Sequence, residues 1–167
     1  MIAVSRSAVE RAQKLLGALE AQGKHLAVAE SLTGGALAAT LVSVPGASRV
    51  FRGGAVTYAT DTKASVLNVD SEHLAQTGPV DPLVAQQMAR GAAELFGADY
   101  GLATTGVAGP GPADGHVAGT VFIGIYTPQG AAAVECYFAG DREAVRVQAV
   151  EMALEQGCAA CAADRDS

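Results

Sequence analysis

Leu26-Ala27-Val28-Ala29-Glu30-Ser31-Leu32-Thr33-Gly34-Gly35 is the stretch on which the reading of this chain turns. An apolar run stops at an acid and a hydroxyl, and a threonine and two glycines lead into Ala36-Leu37-Ala38-Ala39-Thr40-Leu41-Val42. That pattern predicts a strand, a tight turn and a helix start, with Ser31 on the turn. Thr33 is the expected N-cap, and the glycines let the backbone approach closely whatever sits there. The first amides of a helix lack intrahelical partners and lie at the positive end of its dipole. Ser31 could therefore be a nucleophile with amides ready for an oxyanion or a phosphate. On this stretch alone, a capped helix after a buried strand is the preferred reading.

Outward from it, the chain alternates helix and strand. Val9, Ala12, Leu15, Leu16 and Leu19 recur at helical spacing behind a cap at Ser5 or Ser7, and Gly23 is the expected stop. After Pro45-Gly46, the segment Ser48 to Tyr58 reads as a strand whose Gly53-Gly54 pair predicts a bulge or a close backbone approach. Thr60 or Asp61 is then the expected cap of a short helix through Leu67, which places Tyr58 and Lys63 on either side of one turn. Asn68 to Asp81 reads as loop with a helical turn near Ser71, and Pro82 to Phe96 as a helix capped by Asp81.

A small buried strand, Gly101 to Thr104, runs into Thr105-Gly106-Val107-Ala108-Gly109-Pro110-Gly111-Pro112-Ala113-Asp114-Gly115. Such a stiff loop after a strand presents N–H groups to an anion, although it is neither a P-loop nor a dinucleotide fingerprint. Gly119 to Phe138 reads as a β-hairpin turning at Thr127-Pro128-Gln129-Gly130. Asp141 caps the last helix, on which Arg142 and Arg146 share a face and could hold a phosphate or pair with acids. Residues 157–167 are expected to fray. The order predicts one domain over 1–167, a three-layer α/β/α sandwich with a mixed β-sheet. Ser31, Tyr58 and Thr105 fall at strand ends, where such sheets form their crevice.

Composition narrows the classes. The 167 residues carry a formal net charge of −6 at pH 7 with no basic run and no tryptophan, which argues against nucleic acid as the partner. No apolar stretch reaches the roughly 18 residues of a membrane span, and the N-terminus lacks a secretory layout. A cytoplasmic location is the expectation. The three cysteines include Cys158 and Cys161 near the end of a helix, with no second pair for zinc. They read as small apolar residues on one helical face. No His/Asp/Glu cluster suggests a metal, and no cofactor is expected.

Four motifs, in order, carry a family resemblance. They are Ala29-Glu30-Ser31-Leu32-Thr33-Gly34-Gly35; Gly53-Gly54-Ala55-Val56-Thr57-Tyr58 with Lys63; Thr105-Gly106-Val107-Ala108-Gly109-Pro110 with Gly119 to Gly124; and Phe138-Ala139-Gly140-Asp141-Arg142 through Arg146. Together the chain resembles the CinA C-terminal domain, the nicotinamide mononucleotide deamidase family of PncC type. The resemblance implies an amidohydrolase that converts nicotinamide mononucleotide to nicotinate mononucleotide and ammonia. It implies Ser31 as nucleophile and Lys63, with Tyr58 nearby, as base and proton shuttle, with Ser48 a candidate relay.

On the same resemblance, Thr33, Gly34 and Gly35 stabilise the oxyanion, Thr105, Gly106 and Gly109 hold the substrate, and Arg142 or Arg146 anchors its phosphate. A homo-oligomer with sites completed across a subunit contact is also implied. Gly78-Pro79-Val80-Asp81 departs from the family's usual G-A-V-S, so a local rearrangement is expected there. The alternative function is a pyridine-nucleotide-binding or interaction domain of the same fold without turnover.

Overall fold

The computed structural model describes residues 4–167. Helix α1 (Arg6–Ala21) starts where the Ser5 side chain accepts the Ala8 amide. It is followed by β1 (Leu26–Glu30), α2 (Ala36–Val42), a 3-10 turn (Ala47–Arg49) and β2 (Phe51–Val56). Next come α3 (Thr60–Leu67), α4 (Ser71–Thr77), α5 (Pro82–Phe96), β3 (Tyr100–Gly106), the hairpin β4 (Thr120–Thr127) and β5 (Gly130–Tyr137), and α6 (Arg142–Arg165).

The five strands form one sheet in the order β2-β1-β3-β4-β5. β2, β1 and β3 run parallel, and β4 and β5 complete the sheet antiparallel. Helices cover both faces, giving the expected three-layer sandwich with a mixed sheet. Successive side chains of a strand face opposite ways, and here the two faces differ in bulk. Val28, Leu102 and Ile123 point into the core beneath α1, α2 and α6. Ala27, Ala29 and Ala103 point toward α5 and meet Val84, Met88 and Ala92.

The small face lets α5 sit close against the sheet. A Cβ at Gly101 would come 1.9 Å from the Ala89 carbonyl oxygen, and one at Gly124 would come 2.0 Å from that of Ala85. The glycine pair of β2 follows a similar logic, with a Cβ at Gly54 falling 2.7 Å from the Val28 side chain. The expected bulge is there too: the β1–β2 register slips between Leu26 and Ala27.

Within the helices, the structure corrects the sequence reading at α3 and α6. Neither Thr60 nor Asp61 caps α3, since Ala59 takes the cap position without a side-chain bond. Nor does the chain fray after Gly157. Helix α6 continues to Arg165, with Gly157 an ordinary helical residue whose missing side chain admits Leu15 and Leu102. Cys161 is buried and accepts from Gln22, Cys158 lies against α1, and the Tyr100 hydroxyl donates to Asp164. These contacts bury the apolar face of the last turns, and such burial holds most helices together.

Candidate active site

Three loops converge at the carboxyl ends of β1, β2 and β3. The first is the turn that follows Glu30. Gly34 (φ 59°) and Gly35 (φ 101°) both adopt left-handed backbone, so the chain reverses tightly before α2. Thr33 is not the N-cap; Gly35 occupies that position and offers no side chain. The cap is instead the buried Glu30 carboxylate, which accepts from the Leu37 amide at 2.8 Å and the Ala38 amide at 3.1 Å. A carboxylate satisfies two orphan amides at once and puts negative charge at the positive end of the helix.

The Thr33 hydroxyl donates to the same carboxylate at 2.7 Å and lies 2.8 Å from the Thr104 hydroxyl. Thr33 is thus fully buried in a bracket between the turn and β3. Removing the carboxylate orphans two amides and a hydroxyl in one place. Glu30→Ala is expected to cost about 3 kcal/mol of stability, read from urea unfolding, and Glu30→Gln, which keeps one acceptor oxygen, distinctly less.

Ser31 follows as the first residue beyond the strand, 8% exposed, its amide donating to Thr104 O. Below it lies Lys63 from α3, with 0% of its surface exposed. Its Nζ stands 3.1 Å from Ser31 Oγ, 2.6 Å from the Thr57 carbonyl oxygen and 3.4 Å from that of Tyr58. Burial pushes the ammonium down from its ordinary 10.5 to about 8, with the Asp114 carboxylate opposing the fall. A neutral amine has two N–H donors and one lone pair. The two carbonyls take the donors, which leaves the lone pair for the Ser31 hydroxyl.

The Tyr58 phenol is largely exposed and does not touch Lys63; it accepts from Arg142 Nη2 at 3.3 Å. What Tyr58 and Thr57 give the lysine is main-chain oxygen. Thr57 escaped the sequence reading because a carbonyl leaves no mark in residue type. Its buried hydroxyl has no hydrogen-bond partner among the described residues.

The third loop follows β3. The Thr105 hydroxyl donates to the Pro79 carbonyl at 2.7 Å, which ties the α4–α5 connection to the site. The Pro79-Val80-Asp81 departure fits that connection. Asp81 caps α5 through the Leu83 and Val84 amides and holds His73 at 2.7 Å, while Pro79 and Val80 line the cavity.

The two arginines of α6 divide their work. Arg142 donates to Gly109 O at 2.7 Å and faces the cavity. Arg146 donates to Leu32 O at 2.9 Å and Thr33 O at 3.2 Å, so it braces the Ser31 turn and is not among the lining residues.

A cavity of about 360 Å³ lies between these parts, lined by Ser31, Tyr58, Thr105, Gly106, Gly109 and Arg142 among others. Thr33, Gly34 and Gly35 stand behind Ser31 and do not line it. The Leu32 amide, next to the nucleophile candidate, has no hydrogen-bond partner among the described residues. Ser48 is elsewhere. It sits exposed in the 3-10 turn before Phe51, and Phe51 pairs with Leu26 at the start of β1. Parallel pairing puts Ser48 at the opposite end of the sheet from Ser31, so it cannot act as a relay to it. Among the described residues, no group of three His, Cys, Asp or Glu side chains could hold a metal. Among the described residues, no helix is long and apolar enough to cross a membrane.

Residues 8–159 match the family model of the CinA C-terminal domain. The chain belongs to the CinA C-terminal domain family. A CinA-like protein of Frankia casuarinae is 50% identical over 141 residues, covering 84% of this chain and 33% of the relative. One from Geobacter metallireducens is 45% identical over 134 residues, covering 80% of this chain and 32% of the relative. The chain thus spans about a third of the length of these CinA-like relatives. Solved structures match over nearly their full length. A CinA superfamily protein of Klebsiella pneumoniae has a TM-score of 0.89 at 36% identity, covering 93% of this chain and 98% of that one. A competence/damage-inducible protein of Agrobacterium tumefaciens also has 0.89, at 33% identity, covering 95% and 98%.

Proposed function

We propose that this CinA domain is a serine–lysine amidohydrolase that converts nicotinamide mononucleotide to nicotinate mononucleotide and ammonia. The observation that carries the reading is the Lys63 Nζ–Ser31 Oγ contact of 3.1 Å, with both other nearby oxygens belonging to carbonyls. A lysine buried this way, with its pKa brought to about 8, is the free amine in about a tenth of molecules at pH 7 and in most above pH 8, and serves as base in that form without help from histidine. Lys63 takes the Ser31 proton as Oγ attacks the carboxamide carbon. The tetrahedral oxyanion forms beside the free Leu32 amide.

Collapse expels ammonia, which leaves with the proton that Lys63 returns to it. Water then attacks the ester with Lys63 again as base, and the freed carboxylate departs. Arg142 supports a phosphate at the mouth, because its partners, Gly109 O and the Tyr58 hydroxyl, are uncharged and leave its charge uncompensated. Arg146, spent on the turn, supports Ser31 instead.

Ammonia release from nicotinamide mononucleotide, nicotinamide riboside and free nicotinamide tests the reading. Release is expected to be fastest from the mononucleotide, with kcat/KM at least about tenfold lower for the riboside, which lacks Arg142's phosphate. Binding of the mononucleotide without ammonia release would favour a binding domain in place of an enzyme.

A further inference from the structure

The charges around the cavity are few and opposite in sign. Among the described residues that line it, Asp114 is the one acid and Arg142 the one base. Arg142 stands on the Tyr58–Gly109 side, whereas Asp114 faces Gly78, where a Cβ would come 3.8 Å from its own.

Asp114 is held there by its turn. Ala113 and His116 exchange both backbone hydrogen bonds, at 3.0 and 2.9 Å, around a two-residue tip. The tip is Asp114 (φ 51°) and Gly115 (φ 77°), a left-handed pair of the kind that Asp-Gly favours in tight hairpins. The His116 ring packs edge-on against Phe122 of β4 at a centroid distance of 6.0 Å, fixing the base of the turn. Asp114 forms no ion pair with any described residue. Its carboxylate acts through space on Lys63. Once Lys63 is neutral and able to serve as base, the cation left in the cavity is Arg142, which is bonded on the Tyr58–Gly109 side.

We propose that Asp114 is a specificity-determining residue that reads the positive charge of the substrate's pyridinium ring, so that the cavity selects a zwitterion with its ring cation toward Asp114 and its phosphate toward Arg142. This rests on the amidohydrolase reading above and adds the ring charge as the recognised feature. It also bears on product release. The substrate presents Asp114 with a cation and a neutral amide, whereas the product presents the same cation beside a new carboxylate. Asp114 attracts the first and discounts the second, which favours product release.

The test separates ring charge from reactivity by measuring binding in a Ser31→Ala background. Calorimetric titration with nicotinamide mononucleotide is compared with its dihydro form, which keeps the phosphate and carboxamide but has a neutral ring. The oxidised nucleotide is expected to bind roughly five- to tenfold tighter, a ratio in keeping with a charge pair at a cavity mouth. Adding Asp114→Asn is expected to bring that ratio to within about twofold, and asparagine tolerates the left-handed backbone of the tip. Asp114→Glu should keep part of the preference. A ratio that is unchanged by Asp114→Asn, or near one already in Ser31→Ala alone, overturns the role of Asp114 and leaves the amidohydrolase reading standing. Failure of the oxidised nucleotide to bind overturns both.

Discussion

Ser31→Ala is expected to abolish ammonia release from nicotinamide mononucleotide, lowering kcat by at least about 10³-fold, while nucleotide binding stays within a few-fold of wild type. The residue is the first beyond β1, and its Oγ is the atom that joins Lys63 to the cavity. Its removal leaves Arg142, Thr105 and the Gly106–Gly109 backbone in place to bind. It also leaves the fold in place, because the turn is held by Glu30, Thr33 and Arg146 and not by the serine hydroxyl. Equilibrium binding and single-turnover ammonia release, run side by side, separate the two effects.

Lys63→Met has a second large effect, and its sign runs opposite ways for activity and stability. Without the amine no base contacts Ser31 Oγ, so turnover is expected to fall at least about 10³-fold. Stability follows from the lowered pKa. Between about 8 and 10.5 the unfolded chain holds a proton on this lysine that the folded protein has released, so wild-type stability rises with pH across that window. Below about 8 both states hold the proton, and the full cost of burying the cation, about 3 kcal/mol, is present. The variant has no such term. Its stability relative to wild type is therefore expected to be most favourable near neutrality and to decline by about 3 kcal/mol on going to pH 10.5. Urea unfolding of both proteins at several pH values measures this. A difference that does not vary with pH would mean that Lys63 is not held in the folded state at the cost of its charge.

Much of the architecture could be read from the chain, because apolar runs and their punctuation are local signals. The strand from Leu26, the helix from Pro82 behind Asp81, and the Thr120–Tyr137 hairpin each announce themselves through periodicity, cap or turn residues. The close approach at Gly53-Gly54 was legible for the same reason. What escaped depends on the path of the folded chain, which residue type and spacing do not announce. Glu30 replaces Thr33 as the cap of α2 because the turn is tight enough for the carboxylate to reach back over it, a matter of three-dimensional path. Gly157 at the start of a frayed end and Gly157 as a notch for Leu15 and Leu102 look identical in sequence.

At the site, Ser31, Lys63, Thr105 and Arg142 are brought together, whereas parallel pairing of β1 with β2 carries Ser48 to the far end. Arg142 and Arg146, four apart on one helix face, are equivalent in sequence but not in the fold, where Arg146 is bonded to Leu32 and Thr33. Asp114 drew no notice in the sequence because a single acid in a glycine-proline loop is an ordinary solvated residue unless the loop folds over a cavity.

Whether neutral Lys63 activates Ser31 is tested by the pH dependence of kcat/KM for nicotinamide mononucleotide, from about pH 6 to about pH 9.5. If it does, kcat/KM rises tenfold per pH unit on the acid side and levels at about 8, where the lysine loses its proton. A profile that is flat through this range, or that falls with rising pH, would contradict it.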